Sequence, residues 1–448
     1  MRKSLRGVML AILLTGLLIA LAACGGNNDE SSSGSGDENG SGNEGLSGDV
    51  TMWTASLAGE PFDSYFDDIK KDFEELHPDV NVIIEDIPQA EIEQKVLTSL
   101  TGSDVPDLVN LAPRFVFNIA AQGGLLDLSD KIDEDTKDSY LEGPFKAGYF
   151  DEGLYALPWY LTTTVSWYNS NHFEEAGIDS PPNSTEGIYE TAKSITEETG
   201  NPSFYQVINE GETVIDKMIT LANGDPIVEN GKAQITDNDK ILEFFTLTQK
   251  MYEEGIIPQE NAEGSFTTAQ ELYMAENISF LETGVTFLGP IESGAPDVYE
   301  ASKAGQPLND EDAPMNVAIM NFSIPSKTDN PDAAVALAEF VTNAENQLEF
   351  AKVAGTVLPS TKESLEDDYF QNPGDSPKAL GMLEASKSLE RSESLMPPLE
   401  NNPKLREIVK MTFVENLQGK LTPEEALKKI EDEWNASFED AGITDVTF

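Results

Sequence analysis

Residues 155–169, YALPWYLTTTVSWYN, decide how the rest of this 448-residue chain is read. Pro158 breaks the segment near its start, and Leu161, Val165, Trp167 and Tyr168 then run through three threonines. β-Branched and aromatic residues in such a run predict a strand. Two of the chain's four tryptophans, Trp159 and Trp167, fall inside it. Rings at that density either fill a core or stand where a strand leaves one lobe for another and borders a cleft. The flanking sequence has to decide between the two.

Upstream, residues 1–23 read as an export signal outside the fold. Arg2, Lys3 and Arg6 precede an uncharged apolar run that is shorter than the roughly 20 residues a spanning helix needs. Small residues lead into Cys24, the only cysteine, which therefore has no partner for an internal disulfide. Residues 25–48 are Gly, Ser, Asn, Asp and Glu apart from Leu46, a composition that buries no core. They predict a flexible tether spanning roughly 25–30 Å.

About 400 residues remain, too many for one ordinary core and enough for two lobes. The charge is extreme: 28 basic against 81 acidic side chains, net −53. Phosphate binding depends on Lys and Arg, so no nucleic-acid partner is expected. The acids are spread along the whole chain without a cation-loop motif. They read as a solvated shell suited to high external salt, and neither a metal nor a cofactor is expected. His77 and His172, the only histidines, sit at helix boundaries and read as exposed and structural.

The body begins with a short apolar strand at 50–54, then a loop holding Ser56, Gly59 and Pro61. Phe62, Phe66, Ile69, Phe73 and Leu76 recur at helical spacing, and His77-Pro78 ends that helix. A strand at 80–87, a helix marked by Ile92, Val96 and Leu100, and a buried strand at 107–111 follow. This alternation predicts a parallel sheet with helices on its faces, whose ligands sit beyond the carboxyl ends of the strands. The loops 55–60 and 112–115, the second carrying Arg114, are therefore candidates to face a ligand. Beyond 155–169, helices are expected at 186–196 and 239–254, and strands at 284–290 and 317–325. Asn330-Pro331 opens another helix, and 355–359 is a loop. A capping box from Thr422 to Glu425 starts a last helix, with Leu427, Ile430, Trp434 and Phe438 on its core face.

In this order the features resemble a known family. The stretches that carry the likeness are VTMWTASLAGEPF (50–62), FEELHPDVNV (73–82), VPDLVNLAPR (105–114), AAQGGLLDL (120–128) and GLYALPWYLTTTVSWYNSNHFEEAGID (153–179). FLGP (287–290), IPSKTDNPDAAVALAEFV (324–341), GTVLPS (355–360) and LTPEEALKKIEDEWN (421–435) complete it. Together they resemble the extracellular solute-binding proteins of ABC importers, family 1, the carbohydrate group that includes maltose-binding protein. Residues 21–24 resemble the lipobox of bacterial lipoproteins, which implies cleavage before Cys24 and its acylation.

The resemblance implies an α/β, two-lobe, periplasmic-binding-protein-like (Venus-flytrap) fold with crossing hinge strands. It implies an N-terminal lobe of 49–159 and about 319–362, and a C-terminal lobe of about 160–318 and 363–448. Ligand contacts are implied at Ser56, Glu60, Arg114, Trp159, Tyr160, Gly289, Gly355 and Thr356. Tyr168 and Asn169 match a structural pair, and Ile291 stands where the family's turn after Gly-Pro carries an aromatic. Sugar rings have apolar faces that pack on aromatic rings, and hydroxyls that need donors and acceptors. Trp159 and Tyr160 supply the first, Arg114 and Ser56 the second. The expected partners are a carbohydrate, the membrane permease subunits of the importer, and a membrane reached through lipid on Cys24. The expected place is the extracytoplasmic face of the cell membrane, as a monomer. Two other classes stay open: a secreted carbohydrate-active enzyme working through paired carboxylates, and a sensor that presents its ligand to a membrane receptor. Neither G-x-S-x-G nor H-E-x-x-H occurs, and no enzyme activity is expected.

Overall fold

The computed structural model describes residues 45–102, 104–310 and 312–448. The export signal, Cys24 and most of the tether lie outside the described residues. The strands of the two main sheets are, in chain order, β1 (Ser47–Ala55), β2 (Asp79–Ile87), β3 (Leu108–Leu111), β4 (Leu157–Thr162) and β5 (Thr164–Asn169). They continue as β6 (Phe204–Tyr205), β7 (Phe280–Gly284), β8 (Ser302–Gly305), β9 (Ala318–Ser323) and β10 (Leu358–Pro359). One sheet has the order β10-β4-β9-β3-β1-β2 and the other β8-β5-β7-β6. In the first, β1 pairs parallel with β2 and β3, and β9 runs antiparallel between β3 and β4.

Period-2 alternation accounts for the burial of the first sheet. Val50 and Met52 of β1 point into one apolar cluster, Trp53 and Ala55 into another on the opposite face. A strand covered on both faces needs a nearly continuous apolar run, which VTMWTA supplies. Helix α1 (Phe62–Leu76) buries Phe66, Ile69 and Phe73 of the stripe its spacing predicts, and Tyr65 besides, while Phe62 is half-buried and Leu76, at the helix end, is exposed. Helices α2 (Ile92–Ser99) and α3 (Pro113–Ala120) add Ile92, Val96, Phe115 and Ile119 on the other side.

Four further helices bear on the site or on the core: α4 (Glu212–Ala222), α5 (Ala344–Ala354), α6 (Asn402–Leu417) and α7 (Pro423–Ala441). Both arms of the capping box at Thr422 and Glu425 are made, and Trp434 of α7 is fully buried. Helices α4, α6 and α7 pack into one apolar cluster with Ile241, Phe244 and Phe245.

The chain passes from the first sheet to the second through a single residue, Thr163, between β4 and β5. It returns through Met315–Asn316, which pairs parallel with Ser392–Glu393 just before β9. The result is the two-lobe α/β arrangement with crossing strands that the family resemblance implies.

Two further expectations are corrected. Residues 284–290 are not a strand: β7 ends at Gly284, and a 3₁₀ turn (Val285–Phe287) runs into a helix (Leu288–Gly294). Phe287, Leu288 and Ile291 are buried while Gly289 and Pro290 are exposed, which is helical spacing, and Pro290 falls in the first turn, where its missing N–H costs nothing. His172 is not exposed either. Its Nδ1 lies 2.8 Å from Ser279 Oγ, and its ring is mostly covered.

Candidate functional site

A cleft opens where β4 becomes β5. Two adjoining chambers, of about 390 and 790 Å³, share Thr162, Glu212, Asp216, Asn316 and Ala318 in their walls. Each wall follows from local sequence. Helix α4, ETVIDKMITLA, buries Val214, Ile215, Met218, Ile219 and Ala222 on one side, which leaves Glu212 and Asp216, one turn apart, on the cleft. Strand β4 presents Tyr160 and Thr162, and the crossing segment before β9 presents Asn316.

Gly211 sets the position of α4. It adopts φ 88°, and a Cβ there would lie 2.3 Å from the carbonyl oxygen of Arg406. Only glycine lets the start of α4 press this closely on the backbone of α6. The contact brings Arg406 Nη2 to 2.8 Å from Glu212 Oε1. On the next residue along α4 from Asp216, the buried Lys217 sits 3.2 Å from Glu282 Oε2 and donates to Leu308 O at 2.6 Å.

Asp216 lies between these pairs. Asn316 Nδ2 donates to its Oδ2 at 2.9 Å. Its carboxyl keeps some accessible surface through the cleft yet is densely surrounded by protein atoms. Burial, with the Glu212 carboxylate beside it, pushes its pKa up to about 8, against the opposing pull of Arg406 and the Asn316 amide. The Tyr160 phenol, half-buried in the larger chamber, is pushed up to about 12 by burial and is a neutral hydroxyl at physiological pH. Arg406 and Asn402 line the larger chamber, and their Nε and Oδ1 atoms are buried and make no hydrogen bond within the described residues. Among the described residues, no group of three His, Cys, Asp or Glu side chains is arranged to hold a metal ion.

Of the residues singled out from sequence, the structure brings Arg114 and Tyr160 to the larger chamber and Thr356 to the smaller. The Arg114 guanidinium lies 4.0 Å from the centroid of the Phe115 ring. Ser56 and Glu60 line neither chamber: Ser56 Oγ accepts from Gln89 N, and Glu60 accepts from Ser64 Oγ on the exposed surface. Gly289 stands at an exposed helix start, and Gly355 ends α5 beside Lys378; neither lines a chamber, although Thr356 next to Gly355 does.

Trp159, expected at the cleft, is fully buried. Where β4 pairs with β9, Met320 faces Tyr160 and Asn321 faces Pro158, so Trp159 is an extra residue in the ladder. Its ring packs 4.2 Å from Phe350, 4.6 Å from Phe322 and 6.1 Å from Phe66 between ring centroids. Three phenylalanines from α5, β9 and α1 enclose it, and it is core. Trp167 is core as well, its indole donating to Gly284 O at 3.2 Å.

Sequence reasoning did not offer Thr162, Glu212, Asp216, Lys217, Asn316, Asn402 or Arg406 as site residues. The available signal was the i, i+4 pair of acids on α4 after a glycine. In a chain with 81 acids that signal stands out only once α4 is seen to face the crossing strands.

A profile of the family described as bacterial extracellular solute-binding protein matches residues 58–348. The diacetylchitobiose binding protein DasA of Streptomyces coelicolor is 30% identical over 237 residues, 50% of this chain and 52% of that protein. The chain thus spans about half the length of that relative. A galactooligosaccharide-binding protein of Bacillus subtilis is 22% identical over 405 residues, 89% of this chain and 88% of that protein. Among solved structures, a protein proposed to be an oligosaccharide periplasmic-binding protein from Synechococcus sp. MITs9220 superposes with a TM-score of 0.75 at 27% identity, covering 88% of this chain and 99% of that one.

Proposed function

The chain belongs to the bacterial extracellular solute-binding protein family and has the two-lobe α/β fold of its periplasmic binding proteins, and from that premise we propose that it captures an oligosaccharide between its lobes and delivers it to the permease of an ABC importer. The observation that carries this reading is the polar lining of the two adjoining chambers, which includes Arg406 and Asn402, residues whose buried Nε and Oδ1 lack partners among the described residues. A buried donor or acceptor left unpaired costs about 1–3 kcal/mol. A sugar hydroxyl both donates and accepts, and so can satisfy each kind. Arg114, Tyr160, Thr162, Glu212, Asp216, Asn316 and Thr356 offer the further polar contacts, while Tyr160 offers a ring edge.

The lobes in this reading are 49–159 with about 319–362, and about 160–318 with 363–448. Rotation at Thr163 and at the residues before β9 closes them, and the ligand's preference for the closed form sets its population. The protein works as a monomer and performs no chemistry on its ligand. Cys24 carries the lipid that holds the body at the extracytoplasmic face of the membrane. Among the described residues, no helix is long and apolar enough to cross one.

Thermal-shift and fluorescence titrations with diacetylchitobiose and with galacto-, arabino- and malto-oligosaccharides test the proposal. At least one is expected to raise the melting temperature and to be recovered unchanged. Hydrolysis of the saccharide, or no response to any of them, overturns it.

A further inference from the structure

Beside Asp216 the cleft holds the carboxylates Glu212 and Glu282 and the cations Arg406 and Lys217, and both of these cations are already paired. Arg406 pairs with Glu212 at 2.8 Å, and Lys217 pairs with Glu282 at 3.2 Å. Asp216 is left with the Asn316 amide, a neutral donor, on Oδ2. The charged groups around it are Glu212 and Lys217 from its own helix, Glu282 from β7, and Arg406 from α6. Arg114 and Glu407 also line the larger chamber, and neither forms an ion pair with Asp216. From β4 and from the segment carrying Asn316 only uncharged side chains face it. An ionised Asp216 would thus be a negative charge with no ion-pair partner among the described residues, repelled by two nearby carboxylates and drawn only by an Arg406 that Glu212 already holds.

Building on the saccharide-capture reading, we propose that Asp216 binds the sugar as a neutral carboxylic acid, donating its proton to a ligand oxygen, so that capture above neutral pH takes up one proton from solvent. Asp216 lies in the wall common to both chambers, where a ligand extending from one into the other must pass. Because Asn316 occupies Oδ2, the proton resides on Oδ1, the oxygen that Asn316 leaves unengaged. In the empty cleft burial already pushes the group up to about 8. Closing the lobes over a ligand removes further water from it, which favours the neutral form again. Affinity is then full below the pKa of the empty site and falls as pH rises above it, because a proton must be recovered on binding.

Calorimetric titration with whichever of the four saccharide types binds, from about pH 6.5 to about 9.5, tests this. The wild type is expected to show constant affinity to about pH 7.5 and then a loss approaching tenfold per pH unit, the slope of a one-proton linkage. At about pH 8.5, buffers of unlike ionisation enthalpy are expected to report uptake approaching one proton per ligand. Asp216→Asn is expected to flatten the slope and abolish the uptake. Without any ligand, infrared difference spectra between wild type and Asp216→Asn are expected to show a protonated carboxyl band at neutral pH. A band for an ionised group there, a flat wild-type profile, or a slope that survives in the variant overturns the assignment. Saccharide binding with a flat profile overturns it alone. Absence of saccharide binding overturns it together with the capture reading.

Discussion

Arg406 donates through Nη2 to Glu212 Oε1 at 2.8 Å, joining two helices whose paired residues are 194 positions apart. That contact depends on Gly211, whose left-handed backbone lets α4 begin directly against the Arg406 carbonyl. The pair joins α4 to α6 at the cleft and leaves the buried Arg406 Nε without a hydrogen-bond partner among the described residues.

Gly211→Ala is therefore expected to cost about 1–3 kcal/mol of stability, from the strained φ and from a Cβ 2.3 Å from Arg406 O. Gly289→Ala is the matched control, since a Cβ there meets no atom within 4 Å. Denaturant titrations of both variants check this. Equal midpoints would remove Gly211 from the architecture of the site.

Trp159 and Tyr160 are adjacent in sequence and separate in role. Removal of the buried indole by Trp159→Ala is expected to cost about 3–5 kcal/mol. The milder Trp159→Phe is expected to lower the melting temperature while leaving saccharide affinity within about threefold. Tyr160→Ala, at the chamber wall, is expected to weaken affinity about tenfold or more. Melting curves and titrations on the same samples distinguish the two.

Asp216 also shapes stability against pH. Its folded pKa of about 8 stands above the ordinary 3.8 of the unfolded chain. Between these values the unfolded chain releases a proton that the native state keeps, so this group costs stability progressively as pH rises from about 4 to about 8. Asp216→Asn removes the term. The variant is expected to melt higher than wild type at about pH 8 and equally at about pH 4.

The net charge of −53 makes a separate prediction. Self-repulsion of a scattered acidic surface weakens as the screening length falls from about 10 Å at 0.1 M salt to about 3 Å at 1 M. The melting temperature is expected to rise steadily over that range, with a smaller rise for a variant in which exposed acids are replaced by their amides. Salt-independent melting would count against an acidic shell suited to brine.

Cys24→Ser in the full chain, expressed in a bacterium that processes lipoproteins, is expected to move the protein from the membrane fraction to the medium or periplasm. Unchanged fractionation would remove the lipid anchor from the account.

Periodicity made much of the fold legible. Most of the α1 stripe, the apolar run of β1, the box that caps α7 and the strand character of 155–169 are local patterns, because helix and strand periods act within a few residues of sequence, whereas the crossing between lobes came from the family resemblance. The run at 284–290 was misread because a short apolar segment has no length over which periods of 2 and 3.6 diverge. The site was harder. Arg114 and Tyr160 could be found from the loops and strand they sit on, but Trp159 could not be placed. An inserted residue in β4, visible only against its partner β9, turns it to Phe66, Phe322 and Phe350.

What the sequence determined by itself is thus the class of fold, the export-signal pattern and the extreme charge, each written in composition or short-range pattern. The tertiary structure alone decided which acids matter. Glu212, Asp216 and Glu282 look like any of the 81 acids until α4, α6 and β7 meet. Two of them then take the nearby cations, and the third is left to be neutralised by a proton. Coulomb partners and burial are properties of places in space, and residues far apart along the chain share such a place only after folding.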